Sequence, residues 1–323
     1  MLDPGLIRVL FFNEGNIGTH ILGQARLDGS LRAGLSAANG VKAVFAGLAP
    51  PNRLERALAE RQLLSRAPRR LEMRTLRWHL IQSLRARASL ERELDRGSFD
   101  VVHLHTQSIA LVAGAIMRRI PVALSVDTSI RDWARMPAWP HRHATAETWP
   151  SRVLERRALR SASVVLAWTS WARAGAEREE PRANVVEHHP GIELDRYRPA
   201  ARRPRERPRI LFVGGRFREK GGEDLLSALA DRLGRDVELD VVTPSPPAQR
   251  PGLRAHALGT ADPQLLDLYQ QADVLCLPTY GDTNPWVLLE AMACGTPVIS
   301  TTVGAIPEML DFGRAGVLLE PGD

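Results

Sequence analysis

The sequence predicts an α/β protein of two doubly wound, parallel-sheet domains that face each other across a cleft. Three observations carry that expectation. Short β-rich runs alternate with helical patterns along the whole chain, as βαβ units require. The alternation breaks once, at residues 196–209, where Pro199, Pro204, Pro208 and seven arginines suit neither sheet nor helix. The two halves also open alike: Arg8-Val9-Leu10-Phe11-Phe12 leads to Gly15 and Gly18, and Arg209-Ile210-Leu211-Phe212-Val213 leads to Gly214, Gly215, Gly221 and Gly222.

Taken in order, the first domain spans 1–190, with strands expected at 8–12, 41–45, 100–104, 122–126 and 163–167. A linker follows over 191–208. The second domain, 209–323, takes strands at 210–213, 237–242, 253–257, 274–277, 298–301 and 316–319. In such sheets ligands sit outside the carboxyl ends of the strands, so two linked domains place a substrate in the cleft between them. The length, 323 residues, allows each domain its own core.

Composition removes several classes. With 44% hydrophobic and 25% charged residues the chain is neither disordered nor collagen-like. The longest uncharged stretches, 101–117 and 291–307, are broken by His, Gln, Ser, Gly or Pro, so no membrane-spanning helix is expected. Val9 to Phe12 is too short for a secretory core. Two cysteines, Cys276 and Cys294, both in apolar surroundings, read as a cytosolic chain without a disulfide framework. The net charge of +6 is local: residues 52–96 hold 12 arginines against 6 carboxylates. With 5% aromatics and no recognition motif, nucleic acid is a poor partner for that segment. An anionic membrane surface, which would make the chain peripheral on the inner membrane face, or an anionic acceptor suits it better as a partner, but charge patterning alone favours a solvated arginine-rich helix pair.

Two motifs carry chemistry. The first is the loop 214–222, Gly-Gly-Arg-Phe-Arg-Glu-Lys-Gly-Gly, between a predicted strand and a helix starting near Glu223. Glycine-freed amides at that helix start would meet a phosphate while Arg216 and Lys220 neutralise it. Of 43 basic residues only Lys42 and Lys220 are lysines, so lysine here is a rare choice. Neither glycine loop spells G-x-G-x-x-G or a P-loop, which disfavours a dehydrogenase or NTPase. The second motif is 280–297, where Asn284-Pro285 starts a helix and Gly295 and Pro297 stop it. Every residue of that helix is apolar except Glu290, whose buried carboxylate needs donors. A long-range ion pair and the two hydroxyls of a ligand diol are both open as its partner. There is no Asp-x-Asp and no clustered ligand set, so no metal and no cofactor are expected.

These residues resemble family 4 (group 1) glycosyltransferases of the GT-B fold. The resemblance rests on the Lys220 loop, on Asp282 to Glu290 with the following Ala291-Met292-Ala293-Cys294-Gly295-Thr296-Pro297-Val298, on Gly304-Ala305-Ile306-Pro307-Glu308 and on Pro321-Gly322-Asp323. In the first domain Gly15-Asn16-Ile17-Gly18 and Asp100-Val101-Val102-His103-Leu104-His105 are similar to the family's glycine loop and third strand. The resemblance implies transfer of a sugar from a nucleotide-sugar substrate to an acceptor, a cell-envelope glycan, lipid or small molecule, with retention and without metal. Arg216 and Lys220 would then hold the donor diphosphate, Glu290 the ribose, and Asp282 the donor sugar. Asp282 stands where the family's E-x7-E motif has its first Glu, one methylene shorter, and Asn284-Pro285 replace a common Phe-Gly. Gly15, Gly18, Gly215, Asn284 and Trp286 complete the donor side. Asp127 falls near the family's sugar-touching histidine, which makes Asp127, Arg216, Lys220 and Asp282 the expected catalytic set. His105 is the acceptor-side candidate. A nucleotide-sugar epimerase of the same fold, or a GT-B protein that binds nucleotide or membrane without turnover, are the alternatives. The family continues beyond the strand before Pro321-Gly322-Asp323, so the chain is expected to be incomplete, with an apolar sheet face uncovered.

Overall fold

The computed structural model describes residues 6–15, 31–32, 34–35, 40–60, 73–138, 145–260 and 262–323. It divides into two compact units, Met1–Arg135 with His141–His189, and Met136–Pro140 with Pro190–Asp323.

In the first unit the strands are β1 (Ile7–Asn13), β2 (Val41–Gly47), β3 (Val101–His105), β4 (Val122–Val126), β5 (Val164–Ala167) and β6 (Val185–Glu187). All pair in parallel in the order β2-β1-β3-β4-β5-β6. Five match the expected runs within a residue or two; β6 is the one the periodicity misses. It is three residues long, with Val186 exposed, too short to show an alternation. The helices are α1 (Arg53–Glu60), α2 (Arg74–Arg96), α3 (Gly114–Met117), α4 (Ile130–Trp133), α5 (Thr145–Ser161) and α6 (Ser170–Glu179). Leu10, Phe12, Val102, Leu104, Leu124 and Val165 bury one sheet face against Ala86 and Leu90 of α2, Leu159 of α5 and Ala172 of α6. The strands supply alternating residues of that face, as the two-residue period demands.

Segment 52–96 forms α1 and α2 where it is described. Asn52 and Glu55 close a reciprocal cap on α1, with Asn52 N donating to Glu55 Oε2 at 2.8 Å and Glu55 N to Asn52 Oδ1 at 2.9 Å. Part of the basic charge is neutralised internally: Arg85 pairs with Glu55, Arg87 with Glu91 and Arg96 with Glu93.

The loop after β4, carrying Asp127, is anchored by a buried acid. Glu155 on α5 is 1% exposed. Its Oε1 accepts from the amide of Ile130, the first residue of α4, at 2.9 Å. Ser129 Oγ accepts from Asp132 N at 3.1 Å and completes the turn. Burial pushes the Glu155 carboxyl up to about 8, against the pull of the Ile130 amide and with a further push from Glu179, so the group is a neutral acid at pH 7. The neighbouring acids have their own cations: Glu179 accepts from Arg152 at 3.0 and 3.1 Å, and Asp132 from Arg178 at 2.9 Å.

The second unit holds β7 (Arg209–Val213), α7 (Gly222–Ala228), β8 (Glu238–Val242), β9 (Leu253–His256), α8 (Pro263–Gln271), β10 (Val274–Leu277), α9 (Trp286–Ala293), β11 (Val298–Thr301), α10 (Ile306–Met309) and β12 (Val317–Leu319). Its sheet is parallel in the order β12-β11-β10-β7-β8-β9. Counted from its own first strand this is 3-2-1-4-5-6 in reverse, the dinucleotide-fold order, with its switch point between β7 and β10. The 191–208 stretch, expected as a linker, packs onto this unit. Tyr197 is buried against Tyr269, Arg203 bonds Asp267 at 2.8 Å, and Arg202 donates to Gly295 O at 3.0 Å. Those arginines have partners about 64 to 93 residues away, which no local reading of a Pro/Arg-rich stretch reveals.

Candidate functional site

In the second unit the carboxyl ends of β7 and β10, the two strands at the switch point, send out the loops that the sequence singled out. The β7 loop turns back on itself: Lys220 N donates to Arg216 O at 2.9 Å, Gly221 N to Arg218 O at 2.9 Å and Gly222 N to Phe217 O at 2.8 Å. These three amides are therefore bonded inside the loop. The first turn of α7 also carries Glu223 and Asp224, which oppose an anion there. Gly221, at φ 75°, lets the loop lie against the β10 loop, because a Cβ there would collide with the Pro278 carbonyl. Tyr280 N donates to Glu219 O at 3.0 Å and ties the two loops together.

Across that contact Lys220 reaches the second motif. Its Nζ donates to Gly281 O at 2.9 Å and forms an ion pair with Asp282 Oδ2, both side chains being mostly buried. The Asp282 loop is held from behind by the turn after β11, where Ala305 N donates to Thr283 O at 3.1 Å and Gly304, at φ 60°, lies against the Asp282 carbonyl. Thr279, wholly buried, braces it further: its hydroxyl accepts from Gly281 N at 3.1 Å and its carbonyl from Thr301 Oγ1 at 2.7 Å. The structure thus joins Lys220 and Asp282 in one ion pair, with Gly215 and Arg216 half-buried on the same loop as the lysine.

Asn284 and Trp286, 6% and 8% exposed, lie in the wall at the start of α9. Glu290 lies deeper, at 0% exposure, and its Oε2 accepts from the Tyr269 hydroxyl at 2.6 Å. Tyr269 in turn is fixed through its carbonyl, which accepts from Thr296 Oγ1 at 2.6 Å. Sequence reasoning left an ion pair or a ligand diol open for Glu290; the structure supplies a phenol from α8, 21 residues earlier. No motif marks Tyr269, and being one of three tyrosines is its one sequence signal.

The remaining sequence-selected residues lie in the first unit, at the carboxyl ends of its own strands. Gly15 follows β1 at φ 67°, donates its amide to Asn13 Oδ1 at 3.0 Å, and has no room for a Cβ beside the Leu48 carbonyl. Gly18 lies outside the described residues. Asp127 follows β4 and is half-buried. His105 ends β3, 5% exposed, with Trp168 packed against its ring at a centroid distance of 4.8 Å. Burial, and then His103, lower its pKa to about 3, so the imidazole is neutral. Around it stand residues the sequence did not single out. Thr106 Oγ1 donates to Glu14 Oε1 at 3.0 Å and lies 2.8 Å from Ser108 Oγ, and Gln107 Nε2 donates to Thr128 O at 2.6 Å.

With this geometry in place, two family models account for most of the chain. One described as Glycosyltransferase Family 4 matches residues 30–196, more than half of it, and one described as Glycosyl transferases group 1 matches 207–323. The chain belongs to glycosyltransferase family 4. Among relatives of this glycosyltransferase-family chain, the D-inositol 3-phosphate glycosyltransferase of Streptomyces avermitilis is 35% identical over 175 residues, 45% of this chain and 38% of the relative. D-inositol 3-phosphate glycosyltransferase 1 of Catenulispora acidiphila is 27% identical over 263 residues, 70% of this chain and 62% of the relative. The chain spans about two fifths to three fifths of the length of these curated relatives. The fold is shared with sucrose-phosphate synthase from Thermosynechococcus elongatus, at TM-score 0.72 and 18% identity over 98% of this chain and 86% of that one. Anabaena HepE in complex with UDP gives TM-score 0.64 at 14% identity, with 98% and 86% covered. Among the described residues no helix of the family 4 chain is long and apolar enough to cross a membrane.

Proposed function

We propose that this chain transfers a sugar from a nucleoside-diphosphate sugar to an acceptor hydroxyl, with retention of configuration and without a metal ion. The observation that carries the reading is the Lys220 ammonium at the switch point of the second sheet. Two of its three N–H groups are directed at Gly281 O and Asp282, which orients the third donor. As the glycosidic bond breaks, negative charge grows on the diphosphate, and a fixed cation stabilises it where it forms. Arg216, tied to Lys220 through its own carbonyl, would add a second charge. Family resemblance supports the donor sugar at Asp282 and the nucleoside near α9. Family resemblance also supports the ribose at Glu290, whose Oε2 is fixed by the Tyr269 hydroxyl. Retention places the acceptor on the face that the diphosphate leaves, so the departing oxygen is in position to take the acceptor's proton. UDP in the HepE structure and the inositol phosphate named for the sequence relatives support a nucleotide donor and a polyol-type acceptor.

The test is Lys220→Ala with Lys220→Arg beside it. Alanine should lower turnover by roughly 10²- to 10³-fold, the scale for removing one donor to a developing oxyanion. Arginine keeps the charge but misplaces it on a bulkier planar group, so its loss should be intermediate. Donor affinity should fall in both, read by titration of nucleoside diphosphates. If both variants turn over and bind donor as the parent does, the proposal fails.

A second part of the reading concerns the membrane. On α1, Leu54 is 69% and Leu58 43% exposed, beside the exposed Arg53 and Arg56, a basic and apolar surface suited to an anionic bilayer.

A further inference from the structure

In the second unit one buried acid is held by a group that lies outside every motif. Helix α9, Trp-Val-Leu-Leu-Glu-Ala-Met-Ala, is apolar but for Glu290, which is 0% exposed. Its Oε2 accepts from the hydroxyl of Tyr269, also 0% exposed, at 2.6 Å. Stability alone does not call for such a pair, because replacing both partners of a buried hydrogen bond by apolar groups of the same shape is close to neutral. What the pair adds is direction. A hydroxyl on a packed ring restrains the rotation of the carboxylate, which has about four acceptor sites; a phenol occupies one of them and a cis-diol two.

The ring that carries the hydroxyl is itself built in. Thr296 Oγ1 donates to the Tyr269 carbonyl at 2.6 Å. Tyr197, from the 191–208 stretch, packs edge-on against the Tyr269 ring at a centroid distance of 6.4 Å. The same stretch clasps the last turn of α8: Gln270 Nε2 donates to Arg198 O at 2.9 Å, Gln271 Nε2 to Ala201 O at 3.1 Å, and Arg203 N to Gln271 Oε1 at 2.9 Å. The strap, α8 and the turn after α9 therefore fix the phenol together. At its other end α9 begins with Trp286, close behind the loop that carries Asp282. Glu290 lies one turn further in, about 6 Å along the helix axis. In a nucleoside diphosphate the ribose comes next after the diphosphate, so an acid at that depth suits the ribose of a ligand whose phosphates meet Lys220.

We propose that Tyr269 is a positioning residue: its hydroxyl aims the Glu290 carboxylate at the two ribose hydroxyls of the donor nucleotide, and the 191–208 strap holds its ring in place. The inference rests on the ribose reading of Glu290 given above and adds the group that gives the acid its direction. Calorimetric titration would compare UDP with 2′,3′-dideoxy-UDP, which lacks both hydroxyls, on the parent, Tyr269→Phe, Tyr197→Leu and Glu290→Gln. The parent should prefer UDP by roughly 10²-fold, the scale of two hydrogen bonds to a charged group. Tyr269→Phe keeps the ring and removes the hydroxyl, so it should cut that preference by roughly tenfold, entirely through weaker UDP binding. Its unchanged affinity for dideoxy-UDP shows that the variant is folded. Tyr197→Leu leaves the hydroxyl but loosens the ring, should cut the preference by roughly threefold, and carries the test where Tyr269→Phe does not fold. Equal weakening of both nucleotides in Tyr269→Phe, or in Tyr197→Leu where it stands in, would make the tyrosine a packing residue and overturn the inference, as would an unchanged or wider preference. The ribose reading is judged separately. A preference that Tyr269→Phe keeps and Glu290→Gln loses leaves that reading standing without Tyr269, whereas a parent that binds the two nucleotides alike, or neither, removes the reading and the inference with it.

Discussion

Replacing Glu155 by glutamine should flatten the pH dependence of the first unit's stability. In the folded unit burial holds the Glu155 proton until about pH 8, whereas a free glutamate loses it near 4.5. Below pH 4.5 both states are protonated and the group contributes no slope. Between the two values the unfolded chain has released a proton that the folded one keeps, so stability falls as pH rises, by about 1.4 kcal/mol per pH unit. By pH 7 the accumulated loss is roughly 3 kcal/mol, an upper bound if the helices relax around the charge. Above pH 8 both states are ionised and the slope ends. Glutamine keeps the acceptor for the Ile130 amide and cannot ionise, so Glu155→Gln should match the parent at pH 5 and exceed it at pH 7 to 8. Five of the seven tryptophans, Trp78, Trp133, Trp149, Trp168 and Trp171, lie in this unit, so it dominates tryptophan fluorescence during urea denaturation at pH 5, 6, 7 and 8. Parallel curves for the two proteins across that range would refute the argument, since Glu155 would then be ionised in both states.

Three further outcomes follow from the geometry. Transfer should survive EDTA, since the Lys220 ammonium supplies the charge beside Asp282; loss of activity that Mg²⁺ or Mn²⁺ restores would overturn a metal-free mechanism. Gly221→Ala should cost the second unit at least roughly 1–3 kcal/mol, because φ 75° disfavours alanine and its Cβ meets a backbone carbonyl, and UDP affinity should fall with it; a calorimetric scan with a UDP titration checks both. Anionic vesicles should bind the chain through α1 and α2 with an affinity that salt weakens, and equal sedimentation with neutral vesicles, or none with either, would leave those helices as solvated surface.

How much of this was legible in the sequence depends on how local each cause is. The strands that open the two units could be read from five apolar-rich residues and the glycines after them, since period and turn chemistry act over a few positions. Lys220 could be placed at a strand end by the same means. Its contact with Asp282 could not, because that depends on two loops 62 residues apart meeting at a switch point. The glycine loop suggested open amides, whereas those of Lys220, Gly221 and Gly222 close hydrogen bonds within the loop, a pairing set by its fold rather than by its residue types. Glu290 was marked as needing a donor, yet nothing identified Tyr269. Gln107 drew no notice at all, because its amide is held by the Thr128 carbonyl, a backbone group on another strand's loop. The 191–208 stretch read as a linker for the same reason, the partners of Arg202 and Arg203 lying far along the chain.

The order of the second sheet has a consequence for how that unit holds together. Its two halves, β7-β8-β9 and β10-β11-β12, meet along a seam where β7 and β10 share a register of only two residue pairs, Ile210 with Val274 and Leu211 with Leu275. At the start of the seam Arg209 N donates to Asp273 Oδ2 at 2.7 Å and Asp273 N to Arg209 O at 2.9 Å. At its other end the joint is the Lys220–Asp282 pair, one residue from each half. A diphosphate seated on both loops would therefore act as a clasp across the narrowest join in the sheet. Opening the seam would require releasing the ligand, and at a hundredfold excess over its dissociation constant that adds about 2.7 kcal/mol to the work of parting the halves. Amide exchange along β7 and β10 should slow together when nucleotide binds, while the outer strands β9 and β12 exchange as before.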